Sequence, residues 1–92
     1  MEADCRVIIL VTGRVHGVGF RYSALQMAKN LQLTGFVKNL PDNQLYIEAQ
    51  GKPDSIRVLL EWCNRGPDHA IVELVESSYH PLADFNHFQI RK

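Results

Sequence analysis

The chain has no surplus charge of either sign, because ten Lys and Arg side chains cancel ten Asp and Glu. Without a global positive field, no long-range attraction draws it to a nucleic-acid backbone or an anionic membrane, so any bound anion must be held by a local arrangement. No apolar run approaches the roughly 20 residues of a membrane-spanning helix. Met1-Glu2-Ala3-Asp4 has neither a basic start nor an apolar stretch that would mark a targeting signal. A cytoplasmic protein without membrane or nucleic-acid partners is the expectation. Cysteine is scarce: Cys5 and Cys63 have no metal-ligand spacing and are too few for a disulfide framework. They read as small buried hydrophobes in a reducing compartment, with a bridge between them left open. His16, His69, His80 and His87 fall in separate segments without a short ligand pair. They read as surface or loop side chains, and no metal site is expected. At 92 residues the chain reads as a single domain, 1–92, able to bury a core without a staple.

What is present centres on Gly13 to Arg21, GRVHGVGFR, between an apolar run and a helix-like one. Its glycines, at 13, 17 and 19, permit positive φ and close approach of backbone amides to a ligand. A loop of this kind feeding a helix N-terminus aims N–H groups and the positive end of the helix dipole at one spot, which suits a phosphate. Arg21 closes the loop with a planar donor fork that matches phosphate oxygens. No Gly-Lys-Ser/Thr follows, so this is not a Walker loop, and the glycine spacing does not fit a dinucleotide fingerprint. The residues from Val15 through His16, Gly17, Val18, Gly19 and Phe20 to Arg21 are the candidate anion cradle, for inorganic phosphate or sulfate as well as a substrate. Glycine spacing alone does not separate this reading from a flexible turn with Arg21 as a solvated charge.

The rest of the chain supplies a frame. Arg6–Thr12 is β-branched and nearly all apolar, as in a strand buried on both faces and interior to its sheet. Phe20, Ala24, Met27, Ala28 and Leu31 form one stripe on a helix from about Arg21 to Gln32, with Gly35 expected to supply the positive φ at its exit. Residues 36–40 and 45–50 read as strands of a hairpin, turned by Pro41-Asp42-Asn43-Gln44. Pro53 opens a second helix with Ile56, Leu59, Leu60 and Cys63 on its buried side, and Gly66-Pro67 stops it. Strands follow at 70–77 and 85–90, with a polar loop between. The order βαββαβ plus a terminal strand, with right-handed crossovers, predicts an α+β, ferredoxin-like split βαβ sandwich. Its antiparallel sheet has both helices on one face and nothing on the other.

These residues resemble the acylphosphatase family, which has a loop of the form G-x-V-Q-G-V-x-F-R after its first strand and G-aromatic-V-K/R-N before a turn. Here the first reads Gly13-Arg14-Val15-His16-Gly17-Val18-Gly19-Phe20-Arg21, and the second Gly35-Phe36-Val37-Lys38-Asn39 ahead of Pro41-Asp42-Asn43. Gly66-Pro67 with Ala70, Val72 and Val75 is similar too, so the likeness spans nearly the whole chain. Two positions depart. His16 stands where the family usually has Gln, and Asn43 where Gly is usual, the latter mild because Asn tolerates φ > 0. The resemblance implies a monomeric, cofactor-free, metal-free enzyme that hydrolyses small acyl phosphates. Arg21 and Asn39 would be catalytic, the first on the phosphoryl group and the second on the attacking water, both at a surface cleft.

Other side chains read more plainly. Asp42 and Glu48 are expected as turn and exposed-strand residues, Trp62 at a helix edge, and Lys38 as a solvated charge on the face opposite Asn39. An RNA-binding module on the same fold would need stacked aromatics on the central strands and a basic surface. The first strand has no aromatic and the third only Tyr46. A non-catalytic anion sensor would need Arg21 but has no use for Asn39.

Overall fold

The computed structural model describes residues 2–92. Met1, part of the stretch read for a targeting signal, lies outside the described residues. Strand β1 spans Cys5–Arg14, helix α1 Phe20–Asn30, strands β2 and β3 Thr34–Leu40 and Gln44–Gly51, helix α2 Pro53–Cys63, and strands β4 and β5 Ile71–His80 and Phe88–Ile90. They form one sheet in the order β4-β1-β3-β2-β5. The four long strands pair antiparallel, as expected, and the short β5 adds a parallel edge against β2, making the sheet mixed.

Side-chain alternation decides which face is the core. Val7, Ile9 and Val11 of β1, Val37 of β2, and Leu45, Ile47 and Ala49 of β3 are fully buried. Phe20, Ala24 and Ala28 of α1 and Ile56, Leu59 and Cys63 of α2 join the same cluster, so both helices cover one face. Truncating a side chain such as Ile47 to alanine there would cost about 2–5 kcal/mol. The expectation that β1 is buried on both faces holds for one face only. Ile8 and Leu10, pointing away from the helices, are half-buried, although β1 is interior in the sheet.

That second face is not bare, as the sequence reading had it. Residues 81–87 cross its β2–β3 half. Gln50 clamps the crossing segment by accepting from the Ala83 amide at 2.8 Å and donating to its carbonyl at 2.9 Å. Arg6 donates to the Pro81 carbonyl, and Phe85 packs edge-on against Phe36, which itself stacks on Tyr46. Phe85 therefore belongs to this crossing and not to the last strand. β4 runs on to His80 because its polar end, Ser77–His80, lies at the sheet edge, pairing with Arg6–Ile9 and needing no apolar face.

Two glycines also differ from expectation. The positive φ at the α1 exit belongs to Gln32, at 59°. Gly35 lies inside β2 at φ 133°, where a Cβ would run into the Glu48 carbonyl of β3. It is required by close strand approach, not by the helix end. Gly13 is paired with Val72 within β1, beside a bulge that leaves Glu73 extra on β4, so it lies outside the anion loop. At the hairpin Asn43 takes φ 60°, as expected, and Asp42 joins it at 64°.

Candidate active site

The loop between β1 and α1 is held at both ends by buried apolar side chains. Val15 is sequestered in the core just past β1. Phe20, the first residue of α1, meets the Trp62 ring edge-on at 5.2 Å, and a Cβ on Gly66 would sit 2.5 Å from its ring. Phe20 thus wedges the helix start against the end of α2, and the next residue, Arg21, projects to solvent. Between these anchors Gly17 and Gly19 take φ 70° and 78°, the left-handed region that favours glycine. A Cβ at either would meet nothing within 4 Å, so conformation and open approach, not packing, explain them.

Gly19 is the N-cap of α1 and offers no side chain to the first-turn amides. No acidic residue lies in that turn either, whereas α2 has Asp54 in its own. The first helical N–H groups and the positive end of the dipole are therefore left for an outside acceptor. Among the described residues Arg21 has no ion-pair partner. A concavity of about 280 Å³ opens here, floored by Val15, Gly17, Gly19 and Phe20, with Arg21, Tyr22 and Ile90 around it.

Asn39 is not among the residues that line this cleft. It sits two residues past Val37 on the helix-facing side of β2, opposite the core residue Leu45. Val37 is the register partner of Ile90, which does line the cleft, so Asn39 stands two positions further along β2 than the residue paired with that lining side chain. Asn39 was expected at the surface and is instead half-buried. Its Oδ1 is buried with no hydrogen-bond partner among the described residues, a costly state for an amide oxygen. Val18 is half-buried and packs against the core. His16 turns its imidazole away from the loop: Nε2 donates to the Gln44 carbonyl at 2.6 Å, which requires the proton on Nε2. The loop is thereby tied to the first residue of β3. Gln44 in turn donates to Thr12 Oγ1 on β1.

Two lining residues were missed in the sequence. Tyr22 sits beside Arg21 and could have been flagged by adjacency alone. Ile90 reaches the site only through the parallel pairing of β5 with β2, which no local pattern announces.

Away from the site, Lys38 lies on the face opposite Asn39, as expected, with its ammonium 5.5 Å from the Tyr46 ring centroid. Glu48 is less exposed than expected: it pairs with Arg6 at 3.1 Å and accepts from the Tyr46 hydroxyl at 2.7 Å. Burial, reinforced by the bond to the Glu48 carboxylate, pushes the Tyr46 hydroxyl up to about 12. Burial alone does the same to the Cys63 thiol, which is free, as is Cys5. Among the described residues no three His, Cys, Asp or Glu side chains gather as a metal site, and no helix is long and apolar enough to cross a membrane.

The fold is a ferredoxin-like α+β sandwich, and its candidate anion site is an uncapped, glycine-shaped helix start beside an arginine unpaired among the described residues. Comparison with known proteins narrows the class. The family model described as Acylphosphatase matches residues 7–90. The acylphosphatase of Trichormus variabilis is 40% identical over 87 residues, covering 95% of this chain and 86% of that protein. That of Anaeromyxobacter dehalogenans is 40% identical, covering 99% of each. The structure of an acylphosphatase from Coxiella burnetii superposes with a TM-score of 0.93 at 39% identity, covering 96% of this chain and 93% of that one. The chain belongs to the acylphosphatase family and is a hydrolase.

Proposed function

We propose that the protein hydrolyses the carboxyl–phosphate bond of small acyl phosphates, releasing a carboxylate and inorganic phosphate. The substrate phosphoryl group sits on the amides of the loop from Val15 to Arg21, with the Arg21 fork on its oxygens. These donors stabilise the charge that redistributes over the phosphoryl oxygens in the transition state. Asn39 orients the attacking water through its side-chain amide and aims the water's oxygen at phosphorus, opposite the leaving group. As the new P–O bond forms, the bond to the acyl oxygen breaks and its electron pair leaves on the carboxylate. A carboxylic acid has a pKa of about 4–5, so this group departs without a general acid. The water's proton passes to a phosphoryl oxygen, and neither a protein base nor a metal or cofactor is needed. The whole chain acts as one domain, a monomer, in the cytoplasm, where two unbridged thiols are at home.

The observation that carries this reading is the glycine-shaped, uncapped start of α1 opening on a cleft beside Arg21, which has no ion-pair partner among the described residues. A site that only bound phosphate would need Arg21 but have no use for Asn39, which speaks against an anion sensor. The RNA-binding alternative is disfavoured by the second sheet face. Phe36 is only 6% exposed, flanked by Tyr46, Phe85 and the Arg91 guanidinium, and cannot stack on a base. The test is hydrolysis of benzoyl phosphate after exhaustive chelation, by the wild type and by Arg21→Ala and Arg21→Lys. Wild-type turnover should persist and both variants should be severely impaired, since a point-like ammonium cannot reproduce a bidentate fork. Activity lost on chelation and restored by a divalent metal would overturn the metal-free mechanism.

A further inference from the structure

Resting on the acyl phosphate reading above, we propose that Tyr22 and Ile90 form the subsite for the acyl group and select flat, uncharged, apolar acyl groups. The cleft is about 280 Å³, just under the roughly 300–1,000 Å³ of pockets that hold drug-sized ligands, so it admits one small substrate. Its lining residues are of two kinds. Gly17, Gly19 and Arg21 suit the phosphoryl group, and Arg21 is the only charged residue in the lining. The remaining boundary is apolar. Tyr22 is 64% exposed and Ile90 39%, although both are large hydrophobics beside a buried core. Ile90 pairs with Val37 and shares its helix-facing side, yet Val37 is fully buried and Ile90 is open to the cleft.

An acyl group leaving the phosphoryl group on Arg21 has these two side chains at hand. A ring or branched chain laid on them removes apolar surface from water on both partners. An acyl group with a second anionic charge would find no second cation in the lining, and it would lose hydration against Ile90 and the tyrosine ring without compensation. Acetyl phosphate is accepted but covers little of either surface.

The experiment compares kcat/KM for benzoyl phosphate and acetyl phosphate in the wild type, Tyr22→Ala, Ile90→Ala and Tyr22→Phe. Taking the ratio of the two substrates cancels their intrinsic reactivities when variants are compared. The ratio should fall about tenfold in each alanine variant, the lower end of what lost contacts in an apolar subsite bring. The change should appear mainly as a higher KM for benzoyl phosphate. Tyr22→Phe, which keeps the ring, should hold the wild-type ratio, and the inhibition constant of inorganic phosphate should not move in any variant. A ratio unchanged in both alanine variants, or parallel losses on both substrates, overturns the subsite while leaving the hydrolase reading intact. A wild type that cleaves neither substrate overturns both. If Ile90→Ala fails to fold, Tyr22→Ala alone decides, because Tyr22 is an exposed helical residue whose truncation should alter stability by no more than about 0.5 kcal/mol.

Discussion

Replacing Asn39 by alanine should leave the protein as stable as the wild type, or more so, while turnover collapses. A buried amide oxygen without a partner costs about 1–3 kcal/mol, and Asn39 Oδ1 is in that state. Truncation removes the cost and gives up the packing of a half-buried side chain, about 1 kcal/mol. The balance is between zero and a gain of about 1–2 kcal/mol, and each kcal/mol moves the melting temperature of a domain this size by about 4–8 °C. Turnover should fall by roughly 100-fold or more, the scale for removing one positioned polar group from an active site. Phosphate inhibition should be little changed, since the loop and Arg21 hold the anion. The assays are a denaturant midpoint, a thermal melt, turnover on benzoyl phosphate and the phosphate inhibition constant. A loss of more than about 1 kcal/mol would show that the amide has a structural partner. Loss of phosphate binding in step with turnover would make Asn39 a phosphate ligand instead of a water-positioning group.

Other perturbations test the frame of the site. Gly35→Ala should destabilise on the order of 3 kcal/mol, through positive-φ strain and collision with the Glu48 carbonyl, read as a lowered denaturant midpoint. His16→Gln should lose less turnover than His16→Ala, because an amide can still donate to the Gln44 carbonyl; equal losses would show that the imidazole itself is used. Spectrophotometric titration should find one tyrosine ionising near 12, absent in Tyr46→Phe. Because that group's folded value is raised above its ordinary 10, the folded state holds the proton more tightly. Its contribution to stability is complete below pH 10 and is lost as pH rises from 10 through 12. Inorganic phosphate at 100 times its dissociation constant should add about 2.7 kcal/mol to unfolding, and no thermal shift would mean that the loop does not bind it.

Most of the frame was legible because local chemistry and tertiary role agree. The alternating β3, the Pro53 helix start, the Asn43 turn and the glycine loop each form where their residue types prefer. What was not legible depends on contacts between distant segments. Gly35 looked like a helix-ending glycine because it follows α1 closely, and only the Glu48 carbonyl across the hairpin shows why a side chain is excluded there. Ile90 depends on a parallel edge pairing, and His16 on a reach of 28 residues to Gln44. The cover over Phe36 comes from a segment with little periodicity, held by Gln50 and Arg6. Asn39 was placed in sequence by its motif, but its depth, and hence the orphaned oxygen, is a property of the packed sheet.

Hydrolysis of benzoyl phosphate in isotopically labelled water tests the central claim most directly, since it reports which bond breaks. With Arg21 and the loop on the phosphoryl group and Asn39 aiming water at phosphorus, the label should appear in inorganic phosphate and not in benzoate. Label in benzoate would mean attack at the acyl carbon, and would contradict the roles assigned to both residues.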